Sequence, residues 1–284
     1  MKVKFYDKEL WKDYAAKIAF ISSVVTIISF FFTLSDCIKN ICMILFILAM
    51  MCIFLYMWWS ANHKDKCNFV INNTRVEIVI GNIFEQLDNP DKHPKEVSVI
   101  AFNNYYDIID DNRIVAKKSL HGQYIKRIRE KGKLKAFNNR IKEDEVLKKL
   151  GNPQKEPNRP AGRKWRYDIG SLFEYEDYIL TAFTMFDKNN IASLSADEYM
   201  HFWMNIWNNI DYVYAGRTIN IPLMGAGISR FRNGKPTKQQ LLEIMLWSLK
   251  ISGFHNTYGD SCIRFIIYEA DEEEINFYRL QKMF

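Results

Sequence analysis

The chain begins with two long apolar segments that are separated by a short polar connection. Residues 18–35 contain no charged side chain, and residues 41–60 form a second uncharged stretch after Asp36 and Lys39. Each stretch approaches the roughly 20 residues that an α-helix needs to cross a hydrocarbon core about 30 Å thick. Because only internally hydrogen-bonded backbone is stable in lipid, the pattern predicts a transmembrane helical hairpin in residues 1–63.

A cleaved signal peptide is the alternative interpretation of the first apolar segment. A segment of mixed charge precedes it, no small-residue cleavage site follows it, and a second apolar segment comes at once. These features are not those of a signal peptide, so the membrane hairpin is favoured.

The lysines near the hairpin indicate how it is oriented in the bilayer. A single lysine, Lys39, lies in the connection between the two apolar segments. The segments before the first and after the second carry several: Lys2, Lys4, Lys8, Lys12, Lys17, Lys64 and Lys66. Because cytoplasmic flanks are enriched in Lys and Arg, both termini are predicted to be cytoplasmic. The expected location is the cell inner membrane, as a multi-pass protein.

Polar side chains inside the first apolar segment suggest contacts between copies of the chain. Hydroxyl groups recur at helical spacing at Ser22, Ser23, Thr26, Ser29 and Thr33. Such groups can hydrogen-bond between neighbouring helices in lipid, so a homo-oligomer is expected on activation, with a passive anchor as the alternative.

The pattern changes after a polar link at residues 61–66, where strand-like and helix-like segments alternate. Compact β-branched or apolar runs predict strands at 74–80, 97–102, 178–186, 218–224 and 261–268. Helices are predicted at 118–150, 195–210, 237–252 and 271–283, the second and third opened by capping boxes, and residues 151–162 are predicted to be a loop. The alternation predicts an α/β domain in residues 67–284.

Ligands of open α/β sheets bind beyond the carboxyl ends of the strands, so the loops that leave the strands are the candidate site. Asn82 and Ile83 follow the first predicted strand, Asn103 and Asn104 follow the second, and Gly225-Ala226-Gly227-Ile228-Ser229-Arg230 follows a late one. A Gly-x-Gly turn allows backbone N–H groups to approach an anion such as a diphosphate, although a purely structural turn has the same pattern. Arg230 replaces the third glycine of a Rossmann fingerprint, which excludes that motif.

Together, the three loops and the order of strands and helices resemble the macro domain, an ADP-ribose-binding fold, over residues 70–284. The resemblance implies an α/β/α domain with a mixed sheet. It also implies that Asn82 takes the place of the acidic residue that binds adenine and that Asn103 is the ribose-loop asparagine. The implied ligand is an ADP-ribose derivative, with no cofactor, bound by Asn82, Ile83, Asn103, Asn104, Gly225, Ala226, Gly227, Ile228, Ser229 and Arg230.

The segment after Asn103 departs from the pattern of macro-domain hydrolases. Those enzymes have a glycine-rich stretch there, whereas this chain continues Tyr-Tyr-Asp-Ile-Ile-Asp-Asp. The expectation is therefore binding without catalysis. An alternative is a membrane-tethered ADP-ribosyl hydrolase in which Asp107, Asp110 or Asp111 acts as general base. A scaffold with a vestigial pocket is the third hypothesis.

The arrangement of two membrane helices before a diverged macro domain resembles the membrane-type ThsA effectors of Thoeris anti-phage defence. The motifs that carry this resemblance are Asn103-Asn104-Tyr105-Tyr106-Asp107, Ser119-Leu120-His121-Gly122 and Pro222-Leu223-Met224-Gly225-Ala226-Gly227-Ile228-Ser229-Arg230. The resemblance implies that a TIR-domain enzyme makes an ADP-ribose-based signal, a histidine conjugate. The signal would then cause oligomerisation, disruption of the lipid bilayer and abortive infection.

Charge and metal-binding patterns add little to this interpretation. The chain carries a formal net charge of +6, and residues 117–142 contain ten Lys or Arg against Glu130 alone. A solvated helix face is the favoured explanation, with attraction to anionic lipid or ligand as the alternative. No nucleic-acid recognition motif is present. Asp187-Lys188-Asn189-Asn190 resembles an EF-hand start but lacks its obligatory glycine, so no metal is expected.

Overall fold

The computed structural model describes residues 2–32, 35–85, 91, 95–186, 192–227, 231–232, 234–256 and 261–284. Contacts divide the chain into two compact units. The helical unit comprises Met1–Cys67 with Ile275–Phe284, and the sheet domain comprises Asn68–Glu274.

The described helices are α1 (Lys8–Phe31), α2 (Asp36–Asn62), α3 (Leu120–Glu130), α4 (Leu134–Glu143), α5 (Glu145–Gly151), α6 (Ala196–Asn209), α7 (Lys238–Ser252) and α8 (Phe277–Met283). The strands are β1 (Cys67–Ile71), β2 (Thr74–Ile80), β3 (Glu96–Asn103), β4 (Gln154–Lys155), β5 (Trp165–Arg166), β6 (Leu172–Tyr175), β7 (Tyr178–Phe186), β8 (Ala192–Ser193), β9 (Thr218–Pro222) and β10 (Cys262–Ile267). Two 3-10 helices cover Ile210–Tyr212 and Glu269–Glu274.

The two long helices of the helical unit are each able, by length and composition, to cross a membrane. The carboxylate of Asp7 caps α1 by accepting the N–H groups of Glu9 and Leu10, so the helix begins well before the first predicted span. It also ends at Phe31, before that span was predicted to end at residue 35. Most large apolar side chains of both helices are exposed, as lipid-facing side chains would be.

The polar ends of these helices pack into a small core that includes the C-terminal helix. The hydroxyl of Tyr14 donates to the carbonyl of Met50 at 3.0 Å, which joins α1 to α2. In α8, the hydroxyl of Tyr278 donates to Asp13, and Lys282 forms a 2.7 Å ion pair with the same carboxylate. The C-terminal residues therefore belong to the helical unit by their contacts.

Three hydroxyl side chains of α1 bond within their own helix, whereas Thr33 lies outside the described residues. Ser23 donates to the carbonyl of Phe20, Thr26 to that of Ser22, and Ser29 to that of Thr26, at 2.7–2.8 Å. This bonding satisfies the hydroxyl protons without a partner helix. The contact between copies that their spacing suggested stays a prediction.

The main sheet of the described residues has the order β1-β2-β10-β9-β3-β7-β6, with β8 paired to the end of β7. The strands β2, β10, β9, β3 and β7 run parallel, whereas β6 is antiparallel to β7. The predicted mixed sheet is thus confirmed. Parallel pairing brings the carboxyl ends of five strands to one edge, where the predicted loops meet.

Alternating side chains of β7 show that both faces of the sheet are covered. Leu180 and Ala182 belong to the core beneath α3, α4 and α5. The ring of Phe183, on the opposite face, contacts Tyr199 and Phe202 of α6. Because successive side chains of a strand point to opposite faces, the domain is a three-layered α/β/α structure.

Several elements differ from their predicted bounds. The strand predicted at 218–224 ends at Pro222, whereas the mostly helical stretch predicted at 118–150 is confirmed as the three helices α3, α4 and α5. The acidic helix predicted at 271–283 is a 3-10 turn followed by α8. The strands β1, β5, β6 and β8 were not predicted, and the loop predicted at 151–162 contains the short strand β4.

Candidate functional site

A cleft of about 780 Å³ opens at the carboxyl edge of the parallel strands. All three predicted loops contribute to its walls, with Asn82, Ile83, Asn103, Gly225, Ala226 and Gly227 among the lining residues. The cleft falls within the size range typical of small-molecule sites. Of the other predicted ligand-binding residues, Ile228, Ser229 and Arg230 lie outside the described residues, as does the EF-hand-like segment.

The loop after β2 is fixed by its own polar groups. The N–H of Gly81 donates to the carbonyl of Ile267 at 2.9 Å, and the side-chain oxygen of Asn82 accepts the N–H of Phe84 at 3.0 Å. This Asx turn uses the oxygen of the Asn82 amide and holds the exposed side chain at the rim of the cleft.

The loop after β3 is organised around the buried side chain of Asn103. A register shift between β3 and β7 separates Phe102 from Asn103, as in a β-bulge. The side-chain oxygen of Asn103 accepts the N–H groups of Tyr105 and Asp107, both at 3.2 Å. Its amide nitrogen donates to the carboxylate of Asp107 at 3.0 Å. The conformation of the cleft wall at Asn103 therefore depends on Asp107.

Asp107 is itself neutralised by a buried arginine. Two nitrogens of Arg159 donate to the two carboxylate oxygens at 2.7 and 3.0 Å, and both side chains are at most 2% exposed. The N–H of Arg163 adds a further 2.7 Å hydrogen bond. A Cβ on Gly162 would lie 2.4 Å from the carboxylate, so only glycine permits this close approach. The ion pair ties the proline-containing segment to the Asn103 loop.

Asn104 is placed differently from its neighbour. It is buried and is not among the residues that line the cleft. Its side-chain oxygen accepts the N–H of Phe186 at 3.2 Å, and its backbone N–H donates to the carbonyl of Thr184 at 3.0 Å. These bonds hold the loop against the end of β7, which is a structural role.

The glycine loop, residues 225–230, follows β9, and its described part, residues 225–227, turns sharply. Gly225 has a φ of 84°, a left-handed conformation, and a Cβ there would lie 3.3 Å from the ring of Phe231. A Cβ on Gly227 would have no atom within 4 Å. The side chain of Lys235 donates to the carbonyl oxygens of Ala226 and Gly227. The loop is thus braced by a cation that was not singled out from the sequence.

The cleft is also lined by residues that were not predicted from the sequence. Tyr268, directly after β10, is 62% exposed, and Asp271 follows it in the 3-10 turn. Arg113 and Lys118 contribute positive charge, whereas the carboxylate of Asp271 is paired with Lys238 at 2.7 Å. The rule that ligands bind after parallel strands would have found Tyr268, because it ends a predicted strand. The charges favour an anionic ligand.

His121 lines the cleft at the start of α3 but is largely buried. Its Nε2 is 2.7 Å from the carbonyl oxygen of Asp107, and its ring lies 3.6 Å from that of Phe102. Because the carbonyl can only accept, Nε2 carries the proton. Burial lowers the pKa of His121 to about 4, since the charged imidazolium would lose its hydration.

This pKa makes stability depend on pH. Below about pH 6.5 the imidazole of His121 is protonated in the unfolded chain but stays neutral in the folded protein. The free energy of unfolding therefore falls as the pH decreases towards 4. Between pH 7 and 5 the loss is expected to be about 2 kcal/mol. Denaturant titrations at both pH values would measure it, with His121→Gln as a control that should lose this pH dependence. Equal pH dependence in the two proteins would contradict the assignment.

Metal coordination is not a feature of the described residues. They contain no group of three or more His, Cys, Asp or Glu side chains arranged to hold an ion. Asp107 of the Asn103 loop and Asp271 of the cleft lining are each paired with a cationic side chain. What the described cleft offers a ligand is backbone and side-chain donors, an exposed ring and positive charge.

Comparison with known structures gives low sequence identity. A variant of the Oceanobacillus iheyensis macrodomain aligns at 15% identity with a TM-score of 0.45, covering 78% of this chain and 98% of that chain. Another variant of the same macrodomain, with ADPR, aligns at 14% identity and a TM-score of 0.40, covering 77% and 97% of the two chains.

Sequence comparisons are more specific. Residues 76–268 match the family described as Thoeris protein ThsA, Macro domain. The chain is also 35% identical over 262 residues to the Thoeris protein ThsA of Bacillus amyloliquefaciens (strain Y2), with 92% of this chain and 84% of that protein covered. The family match extends over more than half of the chain and contains all three predicted loops. The chain therefore belongs to the Thoeris ThsA family, and its sheet domain is the macro domain of that family.

Proposed function

We propose that the sheet domain binds an ADP-ribose-type nucleotide and that the chain is a non-enzymatic sensor and effector of anti-phage defence. The observation that carries the proposal is the single cleft in which Asn82, Asn103 and the Gly225–Gly227 loop meet. A nucleotide diphosphate needs several anion-binding groups together with a surface for its base. The cleft offers both, in a chain of the ThsA family.

The groups around the cleft suggest how the nucleotide binds. In the proposal, the diphosphate lies on the glycine loop, the distal ribose lies against the Asn103 loop, and the adenine lies between Asn82 and Tyr268. The oxygen of the Asn82 side chain is used by its Asx turn, so its amide nitrogen is the group that remains for the ligand. Arg113 and Lys118 would add long-range attraction for the phosphates.

An exposed tyrosine at the end of β10 provides a ring on which a base can stack. Stacking on an aromatic side chain contributes about 1–3 kcal/mol per base. Tyr268→Ala is therefore expected to weaken ADP-ribose binding about tenfold or more, as measured by calorimetry. Tyr268→Phe keeps the ring and should bind within about twofold of the wild type. Unchanged binding by Tyr268→Ala would place the base elsewhere.

The environment of the acidic residues argues against the hydrolase alternative. Both carboxylate oxygens of Asp107 accept hydrogen bonds from within the domain, donated by Arg159, Arg163 and Asn103. The hydrogen bond from Arg129 lowers the pKa of Asp110, and the N–H of Ile114 does the same for Asp111. A general base works best with a pKa near the working pH, so neither is suited to the role.

The proposed response couples binding to the membrane hairpin. We propose that a TIR-domain enzyme supplies the signal, an ADP-ribose conjugate of histidine, and that binding promotes assembly of the hairpins and disruption of the bilayer. A ligand shifts such an equilibrium only by its differential affinity for the two states. Moving an assembly from 1% to 99% would need about a 10⁴-fold preference for the assembled form. The apolar exposed faces of α1 and α2 support a membrane location.

Calorimetry on the full-length protein in lipid nanodiscs would test the binding step, with ADP-ribose, its histidine conjugate and NAD as ligands. Binding of at least one of the first two is expected. Failure of all three would end the proposal. Dye release from liposomes that contain the protein would test the membrane step separately. Ligand-independent release, or none despite binding, would contradict the effector role and leave the binding role intact.

A further inference from the structure

The glycine loop of the cleft is held from outside by one lysine. The Nζ of Lys235 lies 2.6 Å from the carbonyl oxygen of Ala226 and 2.7 Å from that of Gly227. Ala226 and Gly227 line the cleft, whereas Lys235 does not. The ammonium group therefore uses two of its three donors on consecutive carbonyl oxygens, and it does so from outside the cleft.

Holding a carbonyl oxygen also fixes the direction of the N–H in the same peptide. The carbonyl of Ala226 shares its peptide with the N–H of Gly227, and in a trans peptide the two groups point in opposite directions. The described residues contain no cis peptide bond. With the oxygen directed at Lys235, which does not line the cleft, the N–H of Gly227 is directed away from Lys235. An anion on the cleft side of the loop would require an N–H in that direction.

The alternative orientation of this peptide is accessible, because the peptide turns about ψ of Ala226 and φ of Gly227, and a glycine leaves that φ unrestricted. A Cβ on Gly227 would meet no atom within 4 Å, so the surroundings also leave space there. A rotated peptide would direct its carbonyl oxygen at the bound anion and repel it. A charged donor on the oxygen also polarises the peptide and strengthens its N–H as a donor.

We infer that Lys235 is a positioning residue for the anion site of this cleft: it holds the loop in the orientation that presents backbone N–H groups to a diphosphate. The inference rests on the proposed nucleotide-binding function. It assigns a role to a side chain that need not touch the ligand. It also predicts that the chemistry recognised at this loop is a phosphate anion rather than a cation or a neutral sugar.

The test compares full-length variants in nanodiscs by calorimetry with ADP-ribose. Lys235→Met should weaken binding at least tenfold. Lys142→Met is the matched control, because it removes one exposed lysine charge on α4 without contacting the loop. It should bind within about twofold of the wild type. Lys235→Arg can donate to the same two carbonyls and should recover most of the affinity.

Two further measurements separate positioning from other effects. The melting temperature of Lys235→Met without ligand should match that of Lys142→Met, which a merely structural role would not allow. The loss of ADP-ribose affinity should persist in about 1 M salt, where through-space attraction is screened. Equal affinities of the Lys235→Met and Lys142→Met proteins, or a loss that disappears at high salt, would overturn the inference. Failure of the wild type to bind ADP-ribose would instead reject the proposed function.

Discussion

Replacement of Gly227 by glutamate is expected to reduce ADP-ribose affinity at least a hundredfold while leaving the protein folded. A Cβ at this position meets no atom within 4 Å, so the substitution is tolerated by the loop itself. The new side chain would both obstruct the approach of the diphosphate and place a like charge beside it. Loss of two charge-assisted hydrogen bonds, at about 1.5–3 kcal/mol each, accounts for this factor. Calorimetry measures the affinity.

Two other substitutions separate charge, bulk and backbone conformation. Gly227→Ala adds a methyl group into open space and should retain most of the binding. Gly225→Ala instead forces a side chain onto a residue with a φ of 84° and against the ring of Phe231, so it should lower stability as well as affinity. Wild-type affinity in a folded Gly227→Glu protein would show that the diphosphate does not lie on this loop.

Removal of the Asp107 carboxylate is expected to destabilise the sheet domain by about 3–5 kcal/mol. Asp107→Ala leaves the guanidinium of Arg159 buried without its counter-ion, and loss of one partner of a buried pair has a cost of this size. The ring of Tyr105, 3.7 Å from the guanidinium, offers only weak compensation. Thermal unfolding of the full-length protein, followed by tryptophan fluorescence, would measure the loss. Binding should weaken too, because Asn103 loses its partner.

The matched control is Asp110→Ala, which removes a carboxylate from an ion pair with the half-exposed Arg129. Such a pair contributes about 0–1 kcal/mol, so the effect should be small. The double variant Asp107→Ala, Arg159→Met should be more stable than Asp107→Ala alone, since no buried charge remains unpaired. A melting temperature of Asp107→Ala equal to that of Asp110→Ala would contradict the importance of the buried pair.

The strands that the sequence predicts correctly share a physical signal. The strands β2, β3, β7, β9 and β10 are buried between helices on both faces, so they appear as compact runs of apolar and β-branched residues. Two of the missed strands, β1 and β6, lie at the two ends of the sheet order. The residues of β6, Leu-Phe-Glu-Tyr, include no β-branched side chain, and β1 is a short strand of mixed burial. Their pairing depends on adjacent strands of the sheet, which the pattern of residues within each strand does not reveal.

The candidate site was predictable where it depended on topology and not where it depended on contacts between distant residues. Asn82, Asn103 and Gly227 follow parallel strands, so the rule about carboxyl ends locates them. The pairing of Asp107 with Arg159 joins residues 52 positions apart, and Arg159 lies among prolines where a solvated cation would be expected. Lys235 likewise gives no local signal, because its acceptors are backbone carbonyls.

Because α8 belongs to the helical unit, the chain connects the macro domain to that unit at both ends. The chain leaves the helical unit after Cys67 and returns to it at Ile275. The first and last strands of the segment between these points are close in the sheet order β1-β2-β10. A domain that is joined to another unit by one flexible linker can rotate freely about that linker. A domain that is joined by two connections cannot, so its rotation can be transmitted as torque. A reporter fused to Phe284 would add its drag to the helical unit itself.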